Sequence, residues 1–211
     1  MFPDTGQESV DTPVSEWSPD ENDELVIRIW NGIQQAQSKY ITGCGRLTET
    51  RTSRLLASPL VFKGNFCASG KDKFFLQYTD PEPIRLVFDR DYVNVTTGTQ
   101  KKRTDVFKLG SEISKAQKYF SDMNSISNLK KDFDIQPEEL PEHFELTFIP
   151  KSRRFKQRTN YIKVTLRKKD FLLSKLEIDG KSGVNSVFTV VIDSLNKEID
   201  EDIFHVYRPL E

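Results

Sequence analysis

"DKFFLQYTDPEPIRLVFD", Asp72 to Asp89, alternates residue by residue. Phe74, Leu76 and Tyr78 fall on one parity; Lys73, Phe75 and Gln77 fall on the other. Beyond "TDPEP", Ile84, Leu86 and Phe88 share a parity and Arg85 and Val87 take the opposite one. Successive side chains of a strand point to opposite faces, so the stretch reads as a hairpin with one wet face and one apolar face. The apolar face is unusually aromatic. What lies against it, ordinary core or something from outside, is the question the rest of the sequence has to answer.

The same period of two continues on both sides. Strands are expected at 45–52, 60–68, 73–79, 84–89 and 92–97, and again at 143–149, 160–167, 171–179 and 186–193. Short polar or Pro/Gly breaks separate them, which describes an antiparallel meander. "TGTQKKRTD" and "QPEELPEH" read as loop and break, and "SLNKEIDEDIFHV" closes the chain with a short segment.

Helical spacing occurs twice. Ser18 as N-cap, Pro19 at the first helical position and Glu21 three residues after the cap form a capping box. Leu25, Val26, Ile29, Trp30, Ile33 and Tyr40 follow at three- and four-residue spacing, with Gly43 and Gly45 expected to stop the helix. The second helix, 111–127, carries Ile113, Ala116, Phe120, Met123 and Ile126. Residues 1–17 are polar and acidic and read as a disordered leader, leaving 18–211 as one domain. Only two amphipathic helices are available to cover all the strands. The expected fold is therefore mainly β (α+β): one large curved antiparallel sheet, with helices over its concave side.

Composition narrows the function. With 36% hydrophobic and 30% charged residues, the chain has a wet surface and few apolar side chains to spare. The 31 basic and 32 acidic residues leave a net charge of −1, so no global field favours nucleic acid. No stretch reaches the roughly 18 apolar residues of a membrane helix. The start, "MFPDTGQESVDTPVSEW", has no basic n-region and no apolar h-region. Either the protein is cytosolic or a signal peptide has been removed.

Catalysis is not expected. His143 and His205 lie in different segments, away from any Gly-flanked Ser, and no nucleotide, cofactor or metal motif occurs. Two basic stretches, "KSRRFKQR" (151–158) and "KKR" (101–103), are either solvated loops or a docking site for an acidic partner or lipid headgroups.

Cys44 and Cys67 have neither the spacing nor the His company of a metal site. Placing them opposite each other in a 45–52/60–68 hairpin sets Arg46 against Asn65 and Thr48 against Lys63 on one face. Leu47 then meets Gly64, and Glu49 meets Phe62, on the other. The polar pairs share the cysteines' face, so this register agrees with the alternation. A cross-strand disulfide is feasible in it; the alternative is two unrelated thiols of a reducing compartment.

Phe62, Phe66, Phe74, Leu76, Tyr78, Leu86 and Phe88 share the inward parity of consecutive strands, with Leu47 at the edge. They form either plain core or the lining of a cavity left by a sparsely covered sheet, which would hold an apolar ligand.

The order of "QQAQSKYITGCGRLTETRT", "SPLVFKGNF" and "FFLQYTDPEPIRLVFD" resembles the outer-membrane lipoprotein carrier (LolA) family. "HFELTFIPK" is similar to that family's strand ending in Pro-Lys, and "NKEIDEDIFHV" to its closing Asn-to-Phe segment, so the resemblance extends from about Leu25 to Val206. It implies an open, incomplete β-barrel with an α-helical lid in the periplasm of diderm bacteria. It further implies a monomeric carrier that shields lipoprotein or lipid acyl chains between an inner-membrane exporter and an outer-membrane acceptor. Ile113, Phe120 and Met123 would form the lid's inner face. Related folds include a periplasmic stress-sensing regulator, so a sensory or interaction module that reads a lipidated ligand is the alternative. The best-studied carriers hold the lid with an Arg-Pro pair before the third strand; here those positions read Gly70-Lys71.

Overall fold

The computed structural model describes residues 21–70, 72–89, 92–98, 103–108 and 125–206. Helix α1 (Glu21–Lys39) leads into β1 (Thr42–Ser53), β2 (Leu60–Ser69), β3 (Lys73–Asp80), β4 (Ile84–Asp89), β5 (Tyr92–Thr97) and β6 (Arg103–Lys108). Helix α2 (Ser125–Asp132) then precedes β7 (Phe133–Glu139) and β8 (His143–Pro150), and a short α3 (Arg153–Lys156) joins β8 to β9 (Thr159–Arg167). Strands β10 (Leu173–Gly180) and β11 (Val184–Leu195) and a 3₁₀ turn (Glu201–Phe204) complete the order. The expected leader, the Ser18–Pro19 cap and the lid residues Ile113, Phe120 and Met123 lie outside the described residues.

All 11 strands form one antiparallel sheet in the order β6-β5-β4-β3-β2-β1-β11-β10-β9-β8-β7. Two meanders meet where β1 pairs with β11, and the outer edges, β6 and β7, do not join, so the barrel is open. The anticipated hairpin register is the observed one: Cys44 opposes Cys67, Arg46 opposes Asn65, Leu47 opposes Gly64 and Glu49 opposes Phe62. Cys44 and Cys67 are joined as a disulfide.

Several expectations need correction. Arg103–Lys108, whose first three residues were read as the end of a loop, is strand β6, and Phe133–Glu139, read from Gln136 onward as a break, is strand β7. Both are edge strands, where charge and proline are tolerated because one side of the ladder needs no partner. Of the helix expected over 111–127 only the end lies in the described residues: Ser125–Asp132 is helical, five residues beyond the expected end, and Ile126 and Leu129 pack into the core. Phe171, expected in a strand, sits in the β9–β10 turn at φ 56, where its N–H bonds the carbonyl of Arg167 and the neighbouring Arg167–Asp170 ion pair closes the turn. Gly43 and Gly45 do not end α1; both lie within β1. Instead Asn196, at the end of β11, donates to the carbonyl of Lys39 (2.9 Å) and accepts from the N–H of Ile41 (2.8 Å). One distant side chain thus satisfies backbone groups that a helix end leaves open.

Opposed residues of a ladder share a face, so the pairing defines one continuous inner face. On its C-terminal half Phe144, Leu146 and Phe148 of β8 align with Leu166, Val164 and Ile162 of β9. Helix α1 lays Val26, Ile29 and Trp30 on these strands, and Leu129 and Phe133 complete the cluster. Phe171 stacks on Phe144 at 5.5 Å and its ring presses on Gly32, where a Cβ would stand 2.2 Å from it. A side chain at Gly32 would have to displace the Phe171 ring or α1. Ion pairs Lys130–Asp23 and Arg28–Glu139 tie α1 to α2 and to the β7 edge.

The outer face is polar on the C-terminal half. There Lys163 pairs with Glu145 at 3.3 Å and the Tyr161 hydroxyl donates to Glu177 at 2.6 Å. On the N-terminal half it was expected to be wet through Lys63, Asn65, Lys73, Gln77 and Arg85. Lys63, Asn65 and Gln77 are exposed, but Lys73 and Arg85 are half-buried. The 3₁₀ turn packs on β3 and β4 there. Lys73 pairs with Glu201, and Arg85 donates to the carbonyl of Ile203 at 3.0 Å while lying 5.3 Å over the Phe75 ring. Phe204 and Val206 are buried with Val87 in consequence. The closing segment is a strap on the outside of the sheet.

Candidate functional site

The N-terminal half of the inner face is built by β1 to β5 and β11. Phe66 aligns with Leu76, which aligns with Leu86; Phe74 aligns with Phe88; Tyr78 aligns with Gly64 and Ile84. Leu47 lies between Gly64 and Val190. All eight residues singled out from sequence (Leu47, Phe62, Phe66, Phe74, Leu76, Tyr78, Leu86 and Phe88) are therefore on one face. Their rings form a pair, Phe62 with Tyr78 at 5.7 Å, and a run of three, Phe66 to Phe74 at 6.1 Å and Phe74 to Phe88 at 5.8 Å.

The two halves of this face are buried differently. Nine residues of the cluster under α1 are 5% exposed or less, with half-buried Ile162, Val164, Phe171 and Leu173 packed around them. Phe66, Leu76 and Tyr78 keep 8–9%, and Phe62, Phe74, Leu86, Phe88 and Leu47 are only half-buried. Among the described residues, no helix packs on this half. Large apolar side chains that keep part of their area open are short of neighbours on one side, which is the condition for taking up an apolar ligand.

Other contributors were missed from sequence. Ile84 was on the correct parity in the opening hairpin. Val190 and Ile192 come from β11, whose place beside β1 joins the ends of the chain and has no local signature. Gly45, opposite Ile192 and Phe66, leaves space that Phe66 uses: a Cβ there would stand 2.1 Å from the Val191 carbonyl and 3.0 Å from the Phe66 ring.

Glu49 is the anomaly of the face. It lies between Phe62 and Phe188 and is 2% exposed. Burying a carboxylate carries a large desolvation penalty unless its oxygens are occupied. Here both are: Oε2 accepts from the Tyr78 hydroxyl at 2.7 Å, and Oε1 accepts from Nε and one Nη of Arg51 at 3.1 and 2.7 Å. Arg51 also lies 4.9 Å over the Phe62 ring. Burial and then the bond to Glu49 push the Tyr78 hydroxyl above its ordinary value. The register had put Glu49 on the apolar face; its partners were not apparent.

Elsewhere the chemistry is sparse. Among the described residues no group of three or more His, Cys, Asp and Glu is placed to hold a metal. His143 opens β8, and His205 is exposed just after the 3₁₀ turn. The basic stretch 151–158 includes α3 and is mostly exposed, and Arg103 of the second stretch begins β6. Gly70 takes a left-handed turn at φ 63. No helix of the described residues is long and apolar enough to cross a membrane.

No protein-family model and no curated protein matches the sequence. Solved structures do. An uncharacterized conserved protein from Thermus thermophilus superposes with a TM-score of 0.52 at 11% identity, over 87% of this chain and 94% of that one. A LolA superfamily protein from Nitrosomonas europaea gives 0.43 at 11% identity over 85% and 97%, and the lipoprotein LppX of Mycobacterium tuberculosis 0.43 at 12% over 84% and 98%. Identities this low bear on the fold alone.

Proposed function

We propose that the protein is a carrier of acyl chains, of lipoproteins or of another lipid, and that the N-terminal half of the inner face is its binding site. The observation that carries this reading is the half-exposure of Phe62, Phe74, Leu86 and Phe88 on a face whose other half is packed under α1. A palmitoyl-sized chain has roughly fifteen methylenes at about 0.8 kcal/mol each, so shielding it from water is worth on the order of 12 kcal/mol. A continuous aromatic and aliphatic face is what competes with a membrane for such a chain. The disulfide favours an oxidising compartment, and the periplasm is the one this reading names. There the carrier, a monomer, would load from an inner-membrane exporter and unload to an outer-membrane acceptor, with segment 111–127 as lid.

Native mass spectrometry of protein purified from its source bacterium tests this directly. The expected result is a copurified mass that dissociates on denaturation and is identified as an acyl lipid or lipoprotein. Ligand-free protein that also fails to take up a neutral fluorescent apolar probe would end the reading. Uptake without transfer to acceptor vesicles would favour a sensory or interaction module on the same fold.

A further inference from the structure

We propose that Arg51 is the headgroup residue of this site and that the preferred ligand is an anionic amphiphile, one whose chain ends in a carboxylate or a phosphate. The inference rests on the acyl-binding reading and narrows the substrate class within it.

Arg51 has the inner-face parity of Glu49, two residues further along β1, opposite Leu60 of β2 and Ser186 of β11. It stands where the apolar face meets the β1–β2 turn. Two of its donors, on Nε and one Nη, are directed to Glu49, and one side of the guanidinium plane is set over Phe62. A guanidinium carries five N–H donors in a rigid fork, so three remain.

The exposures are unequal in an informative way. The Glu49 side chain is 3% exposed and that of Arg51 is 42%. Of the two charges, only the positive one reaches the open side of the site. The carboxylate is also bonded by Tyr78, so both of its oxygens are engaged below the surface. A buried carboxylate is a poor way to stabilise an apolar face, and leucine would do better. It is a good way to hold an arginine fork in one orientation at the end of that face. With a chain lying on Phe62, Phe74 and Phe88, the remaining donors meet the polar end of the ligand. Planar donors of this kind pair with carboxylate or phosphate oxygens and gain little from an alcohol.

The test uses the full chain, stripped of copurified lipid, and displacement of the neutral probe N-phenyl-1-naphthylamine. Palmitate and hexadecyl phosphate should displace it at concentrations about tenfold or more below hexadecanol, as one charge-assisted hydrogen bond allows. Within the Arg51→Met variant both anions should displace the probe no better than hexadecanol does; Arg51→Lys should restore part of the difference. Equal displacement by all three ligands in the wild type, which needs no variant to fold, would overturn the headgroup role and leave chain binding standing. Failure of all three would remove the chain-binding reading and this inference with it. Inorganic phosphate binding as tightly as hexadecyl phosphate by calorimetry would overturn the amphiphile and leave a free-anion site.

Discussion

Tyr78 donates its hydroxyl to Glu49 over 2.7 Å, across β2 from β3 to β1, in the middle of an otherwise apolar face. The bond links the Phe62–Tyr78 ring pair to the buried Glu49 carboxylate. Removing it by Tyr78→Phe leaves a Glu49 oxygen without its donor while the ring still packs on Phe62. The expected loss is about 1–2 kcal/mol in urea denaturation. A loss within a few tenths would mean that water replaces the hydroxyl and that the site is wetter than its burial indicates.

Alkaline titration should find Tyr78 and Tyr161 ionising late. Burial and Glu49 push Tyr78 upward, and the hydrogen bond to Glu177, with burial second, pushes Tyr161 from 10.0 to about 12. Both pKa values are raised, so their contributions to stability are fully present below pH 10 and fade as pH rises through the folded values. Glu177 shifts the opposite way, lowered first by its bond to Tyr161, so its contribution is present above the ordinary 4.5 and is lost as pH falls. Tyrosinate absorbance of the folded protein should lag that of the unfolded chain, and Tyr161→Phe should remove part of the lag. Coincident curves would contradict both bonds.

The two halves of the inner face should respond differently to truncation. Phe148→Ala, in the closed half, should cost about 3–5 kcal/mol. Phe88→Ala and Phe74→Ala should cost clearly less, because those side chains lack neighbours on one side, and should weaken probe binding instead. Equal destabilisation with unchanged probe affinity would make the stripe plain core.

The disulfide should matter through the unfolded chain. Cys44 and Cys67 are 23 residues apart, and closing a loop of that size stabilises by about 3 kcal/mol in the chain-entropy model. Denatured, non-reduced protein should show no titratable thiol, and Cys44→Ala/Cys67→Ala should fall in stability by about that amount. Two free thiols in protein matured in the periplasm would remove the bridge and the compartment argument together.

The strap on the outer face gives a fifth test. Phe204 is buried on the turn that packs against β3 and β4. Phe204→Ala should cost about 3 kcal/mol and speed amide exchange in these two strands before the β8–β9 half is affected. Uniform acceleration across the sheet would show that the strap and both halves unfold as one unit.

Strand alternation, hairpin register and the Cys44–Cys67 pairing were all legible in the sequence. Each follows from the two-residue period of an extended backbone, and a one-residue slip would have turned every apolar side chain outward. The same local rule put Phe62, Phe74 and Phe88 on one face and Glu49 beside them. The edge strands β6 and β7 were not legible, because an edge accepts the charges of "RTDVFK" and the proline of "FDIQPEE". Where α1 lies was not legible either: it depends on Phe171 fitting against Gly32 and on Asn196 reaching back to Lys39. These contacts join residues more than a hundred positions apart and leave no periodicity to read. The tertiary structure alone therefore decided which half of the apolar face α1 covers and that Arg51 stands at the end of the other half.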